Sequence, residues 1–257
     1  MTESRNHQVY HLEVLTSIYA YHQASILAEK MDDLHPDYRN LLQIMKERME
    51  LNIQPSLEQT AHFSETYGLK LAYNPPDKEQ EANYLMVLES QLRNHDILNF
   101  VRGVSPIIYR LFMRLAKGEI AELDAYIHDT KDDKYDTWKF EQITPESPQA
   151  LQDFAKKWHD PRLTSTSLME LLTLTQLPSE VKQIIRELRQ LEKSIRNPLA
   201  HLIRPFDEQE LHRTTKFSSQ DFLDKLIALA RHAGIIYPAK PFLCDQVNQV
   251  LQKLLEA

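Results

Sequence analysis

Glycine is scarce: 4 of 257 residues. Strand-rich and α/β chains spend glycine on tight turns and phosphate-cradling loops, where only a residue without Cβ takes the required backbone angles. This chain has no glycine-rich stretch, so it holds neither a P-loop nor a dinucleotide fingerprint. Cysteine is scarcer still. Cys244 stands alone, which excludes an internal disulfide framework and a cysteine-based zinc site. A lone thiol fits a reducing compartment, so a cytoplasmic location is expected. Long apolar runs are missing as well. No stretch reaches the roughly 18 residues of a membrane span, so no membrane partner is expected. The polar segment from Met1 to Gln8 is unlike a signal-peptide core. Positive charge is in deficit: Lys and Arg total 30, Asp and Glu 37, and the formal net charge is −7. Proteins that coat nucleic acid are usually basic, so any grip on RNA here has to be local.

The residues that are present describe an ordinary globular chain, 42% hydrophobic and 26% charged. Their spacing is helical almost throughout. Leu12, Leu15, Ile18, Tyr19, Ile26 and Leu27 predict a helix over 12–30, broken at His35-Pro36. A second helix over 37–51 completes an expected N-terminal antiparallel pair. Pro55 opens a shorter one near Ser56. The softest boundary lies at Pro75-Pro76. Residues 1–76 are therefore expected to form an N-terminal helical region packing on the core, and 77–257 the main helical domain. Two periodic runs follow, one through Leu92 and one from Ile97 to Leu115, with a kink expected at Pro106 and a stop at Gly118. Glu119 to His128 reads as a short helix, 129–136 as a polar loop, and Trp138 as a core anchor. Further helices are expected from Pro148, over 165–174, from Ser179, as one turn after Asp207, after the cap at Ser218, and at the C-terminus. No convincing strand alternation and no internal repeat occur. The fold class expected is all-α, a multi-helix bundle.

The helix from Ser179 carries the chemistry. Val181, Ile184, Ile185, Leu188, Leu191 and Ile195 form its apolar stripe, with Glu187 and Glu192 balancing part of the charge of Arg186, Arg189 and Lys193. It runs into Arg196-Asn197-Pro198-Leu199-Ala200-His201. RNA carries its own nucleophile, the 2′-hydroxyl. A protein cleaves it without metal by helping deprotonation, neutralising the phosphorane and protonating the leaving oxygen. Histidine transfers protons near neutral pH, arginine offers a fixed cationic fork, and asparagine donates to a phosphate oxygen or orients the histidine. On an ideal helix, Arg196 and His201 lie about 140° apart. Pro198 disfavours the helical conformation at Asn197, so a break at 197–198 is expected to swing the two toward one cleft. By spacing alone, a helix end with an exposed arginine and a satisfied histidine is the favoured reading.

The full string Glu192-x-x-x-Arg196-Asn197-Pro198-Leu199-Ala200-His201 resembles the active-site motif of HEPN ribonucleases. Tyr84-Leu85-x-x-Leu88-Glu89, Phe100-Val101-Arg102, Ser105-Pro106, Leu111-Phe112 and Tyr135-x-x-Trp138 are similar to the helical half of the ancillary ribonucleases of type III-A CRISPR systems, the CARF–HEPN family. The resemblance spans roughly residues 10–257. It implies that Arg196 and His201 are catalytic, with Asn197 supporting them. The site would form where two motifs face each other across a homodimer. Its product would be RNA with 2′,3′-cyclic phosphate and 5′-hydroxyl ends, cut from single-stranded RNA without metal or other cofactor, in antiviral defence. Members of the family carry an N-terminal Rossmann-like CARF domain that binds cyclic oligoadenylate. Nothing in this chain reads as that domain, so such regulation is carried over to no residue here. A catalytically silent dimerisation module and a HEPN toxin held by a separate partner are the alternative readings.

Other clusters are weaker. His7 and His11 have the spacing of a helical metal pair but lie at a terminus and are expected to be solvent-exposed. Asp132-Asp133 reads as a solvated loop. Arg204, His212, Arg213 and Lys216 make a modest basic patch, and Cys244 a small core residue.

Overall fold

A computed structural model of the chain describes residues 2–129, 136–201, 205–238 and 240–256, with the backbone alone for 2–4 and 196–201. Twelve α-helices occur among the described residues: α1 (Thr2–Ser17), α2 (Tyr21–Ala28), α3 (Pro36–Met49), α4 (Gln54–Tyr67), α5 (Pro76–Arg93), α6 (Ile97–Glu119), α7 (Gln149–Lys157), α8 (Ser165–Leu174), α9 (Ser179–His201), α10 (Glu208–Thr215), α11 (Ser219–His232) and α12 (Leu243–Glu256). The class is all-α. The strands among the described residues are β1 (Ile127–His128) and β2 (Thr137–Trp138), paired antiparallel with Ile127 opposite Trp138. The chain divides into two compact units: residues 1–95 with 235–257, and residues 96–234.

In the first unit α2 packs on α1 and α3, and α12 packs on α1 and α3. Leu12, Tyr21, Tyr38, Leu41 and Val247 of these helices, and Phe63 of α4, are fully buried. The helix expected over 12–30 is two helices. Backbone bonds from Tyr19 to Thr16 (2.9 Å) and from Ala20 to Leu15 (2.8 Å) close α1. Tyr19 then takes a left-handed φ of 58°, unusual for a side chain of its size. Its hydroxyl donates to Asp245 (2.8 Å) and its ring meets Phe242 edge-on. These partners lie more than 220 residues away in sequence, and no local signal marks the break. Pro36 opens α3 rather than merely ending what precedes it. It sits at the first turn, where its missing N–H costs nothing, and His35 Nδ1 accepts from the Asp37 N–H. Gly68, at φ 67°, ends α4 in the left-handed conformation that glycine takes most cheaply.

One polar residue sits where an apolar stripe was expected. Arg48 is 2% exposed on the inner face of α3. Its Nη1 donates to the Leu71 carbonyl (2.6 Å) and its Nη2 to Glu79 Oε1 (3.1 Å). Glu79 Oε2 accepts three further N–H bonds, from the backbones of Tyr73 and Asn74 and from the Asn74 amide. Burial of these two charges is tolerable because each meets its opposite and the second carboxylate oxygen of Glu79 accepts three N–H bonds, while Arg48 Nε is left without a partner among the described residues.

In the second unit α6 runs between α8, α9 and α11. Its buried face holds Phe100, Val101, Val104, Ile107, Ile108, Leu111, Phe112 and Leu115, the positions the periodicity marked. Phe100 meets Phe222 of α11 edge-on at 5.9 Å. Pro106 lies inside α6 and does not interrupt it. Gly118 does not end α6 either: the helix reaches Glu119, and Ile120 leaves in an extended conformation. The helix expected over 119–128 is a 3-10 turn, Leu123–Tyr126, feeding β1. The single turn expected after Asp207 is the full helix α10. Trp138 is 3% exposed and packs edge-on against Phe154, the core anchor it was read to be.

Candidate active site

Pro178 precedes α9, and its carbonyl takes the Lys182 N–H (3.1 Å). Val181, Ile185, Leu188, Leu191 and Ile195 recur at helical spacing and are buried to 2% exposure or less. They hold α9 against α6, α8 and α11. The helix continues through Pro198 to His201, so the break expected at Asn197–Pro198 is absent. Proline still withholds an N–H from the Ser194 carbonyl. Arg196, Asn197 and His201 therefore belong to the last turns of one helix. Their side chains lie outside the described residues.

Glu192 starts the turn before Arg196. Read as part of a charge-balanced surface, it is instead 4% exposed. Its Oε2 accepts from Ser165 Oγ (2.9 Å) and from Arg189 Nη1 (3.3 Å). Arg189 also donates to Thr166 Oγ1 through Nε (2.8 Å) and Nη2 (2.5 Å). The cluster ties α9 to the start of α8, where Thr164 and Ser167 form a capping box. Glu187, expected to balance the basic residues of its own helix, pairs with a lysine of another. It joins Lys225 of α11 at 2.6 Å, and that hydrogen bond holds its carboxyl below the usual glutamate value.

Arg189 and Glu192 form one wall of a groove of about 800 Å³. Ser105, Pro106, Tyr109 and Arg110 of α6 form another, and the α7–α8 connection supplies Trp158, Asp160 and Arg162. Trp158 is fixed by stacking on the buried Phe154 (6.2 Å, 14° between planes) and by donating its indole N–H to the Asp160 carbonyl (2.9 Å). Arg162 grips the Asp160 carboxylate, with Nη2 2.6 Å from Oδ2, and this bond lowers the Asp160 pKa to about 2. Sequence reasoning missed the groove. Its walls come from three separate segments of the chain, and the Trp158 to Thr164 stretch has no helical or strand period to mark it. Proline inside α6 was the one available signal, since Pro106 lines the groove.

The weaker clusters also have places. His7 and His11 are exposed, as expected. Among the described residues no group of three or more His, Cys, Asp or Glu side chains is arranged to hold a metal. Asp132, Asp133, Tyr135 and Arg204 lie outside the described residues. His212, Arg213 and Lys216 do share a shallow surface hollow, but Arg213 is engaged by Glu210 (2.6 Å). Cys244 is fully buried, and burial pushes its thiol up to about 12. No described helix is long and apolar enough to cross a membrane.

Comparison with known proteins bears on this arrangement. No curated protein matches the chain. Among solved structures, the chain is similar to Enterococcus italicus Csm6 bound to cyclic hexa-2′-fluoro-hexa-dAMP, with a TM-score of 0.71 and 13% sequence identity. The superposition covers 97% of this chain and 56% of that one, so this chain spans little more than half of that protein's length. At that identity the likeness establishes the fold. The family model described as Cas_Csm6 HEPN domain matches residues 70–252. That span takes in α9 with its Arg196–His201 turn, all of the groove, and more than half of the chain, which therefore belongs to the Cas_Csm6 HEPN-domain family.

Proposed function

We propose that the protein is a metal-independent endoribonuclease of type III CRISPR antiviral defence, cutting single-stranded RNA at a site shared by two copies of the chain. The observation that carries this reading is the family match over 70–252 enclosing an Arg-Asn-x-x-x-His turn at the end of α9.

In the proposed reaction the 2′-oxygen attacks the adjacent phosphorus as its proton is removed. The phosphorus–O5′ bond breaks and the O5′ atom takes up a proton. The products are a 2′,3′-cyclic phosphate and a 5′-hydroxyl. Arg196 offsets the charge that develops on the non-bridging oxygens. His201 carries protons, and Asn197 donates to the phosphate or orients the imidazole. The reaction needs a base on one side of the phosphorus and an acid on the other. Each motif supplies one histidine, so a second copy facing the first supplies the second imidazole. The acidic net charge of −7 fits a protein that holds RNA locally rather than over a broad surface.

Arg196→Ala and His201→Ala, each assayed on labelled single-stranded RNA in EDTA, test the reading. Wild type is expected to cut in the chelator. Each variant is expected to lose about 10²–10⁴-fold in rate, as removal of a proton-transfer or charge-stabilising group does. Undiminished cutting by both variants contradicts the assignment.

A further inference from the structure

We infer that the groove between α6, the α7–α8 connection and α9 is a nucleobase subsite that selects the nucleotide beside the cleaved bond. The inference rests on the nuclease reading for its place in the reaction, but the groove's own features argue for it separately.

Charge comes first. Three arginines in the wall, Arg110, Arg162 and Arg189, are matched by three acids, Asp136, Asp160 and Glu192. Arg162 and Arg189 are held by Asp160 and Glu192 respectively. A wall balanced in this way makes a poor track for phosphates, which bind where positive charge is in excess. It suits a group that is neutral, flat and edged with hydrogen-bonding atoms. A nucleobase is all three.

Size and rigidity agree. The groove's volume of about 800 Å³ is in the range that admits a nucleotide. Trp158 and Tyr109 supply aromatic surface, and Trp158 is locked before any ligand arrives by Phe154 and the Asp160 carbonyl. Bases stack on such rings without regard to sequence. Discrimination then needs fixed polar groups. The Ser165–Glu192–Arg189–Thr166 cluster provides them, since each member is oriented by another.

Position closes the argument. Glu192 and Arg196 are one turn apart on α9, about 6 Å along its axis. A base in the groove thus belongs to a nucleotide next to the phosphate that the Arg196 turn would engage, and not to a distant part of the strand.

The test uses a readout that does not depend on cleavage. The chain has two tryptophans, and Trp138 is buried, so ligand-dependent emission reports on Trp158. Homotrinucleotides of 2′-O-methyl RNA, one for each base, are titrated into the full chain. At least one is expected to change the emission, and Trp158→Phe is expected to remove the change. Tyr109→Ala is expected to weaken that trinucleotide about tenfold through lost stacking, while Tyr109→Phe retains it. On randomised single-stranded RNA, Tyr109→Ala is expected to flatten the base preference at one position beside the cut. A fluorescence response without cleavage by wild type supports the subsite and counts against the nuclease reading. Cleavage whose base preference Tyr109→Ala leaves unchanged overturns the subsite, as does the absence of any emission change with all four trinucleotides.

Discussion

Both compact units bury a carboxylate–arginine pair, and the two pairs differ in what surrounds them. Arg48 and Glu79 are each 2% exposed, and the neighbouring cavity of about 20 Å³ has room for roughly one water molecule. Beyond each other, the Arg48 and Glu79 side chains bond loop backbone and the Asn74 amide, which in turn bonds Ile236. Glu192 is nearly as buried, but Arg189 retains 17% exposure and both border an open groove of about 800 Å³. The first pair staples loops. The second holds side chains ready at a surface that a ligand can reach. Buried charge alone therefore does not mark a functional site in this molecule. At the proposed subsite, buried charge lies beside accessible volume.

The strongest way to break the comparison is to remove one half of the stapling pair. Arg48→Ala strands Glu79 and is expected to cost about 3–5 kcal/mol, measured as a shift in the urea midpoint. The double change Arg48→Met with Glu79→Leu is expected to be far milder, because no charge is left unpaired. Equal losses for the single and double changes would mean that the pair's shape matters more than its charge.

Glu192→Ala is expected to be smaller in stability, about 1–3 kcal/mol, since Arg189 borders the open groove and can turn to water. Its effect on RNA cleavage is expected to exceed what that destabilisation explains. Kinetics at a temperature where the variant is fully folded separate the two. A Glu192→Ala protein with wild-type kcat/KM under those conditions would make the second pair another staple.

Gly68→Ala is expected to cost about 1 kcal/mol. A Cβ there meets nothing within 4 Å, so the cost is the left-handed φ alone. Asp37 contributes the smallest effect, and it depends on pH. The Tyr67 hydroxyl donates to it at 2.6 Å and is the main cause of its lowered pKa, with His62 adding to it. A carboxylate with a lowered folded pKa stabilises fully above its unfolded value, near 4, and loses that contribution as pH falls through the folded value. Tyr67→Phe is therefore expected to flatten the acid end of the stability–pH curve and leave neutral pH nearly unchanged.

Helical periodicity made the class and most of the buried faces readable, because burial follows spacing on α6 and α9 so closely. Features set by distant partners were not readable. Tyr19 breaks a helix for the sake of Asp245 and Phe242, and Arg48 lies inside for the sake of Leu71 and Glu79. Pro198 misled in the opposite sense. Its local preference pointed to a break, yet α9 continues to His201. At the candidate site, the Arg196–His201 turn was visible as a motif on one helix. The groove beside it was invisible, since Tyr109, Trp158 and Arg189 share no spacing.

The nucleophile is the centre of the proposed chemistry, and a single substrate atom tests it. Two otherwise identical single-stranded RNAs, one with a 2′-deoxy sugar at the preferred cut, are incubated with wild type in EDTA and the product ends are identified by mass. The proposed mechanism requires 2′,3′-cyclic phosphate and 5′-hydroxyl ends from the all-ribose strand and no cut at the deoxy position. Cutting at the deoxy position, or 5′-phosphate ends from either strand, would contradict it.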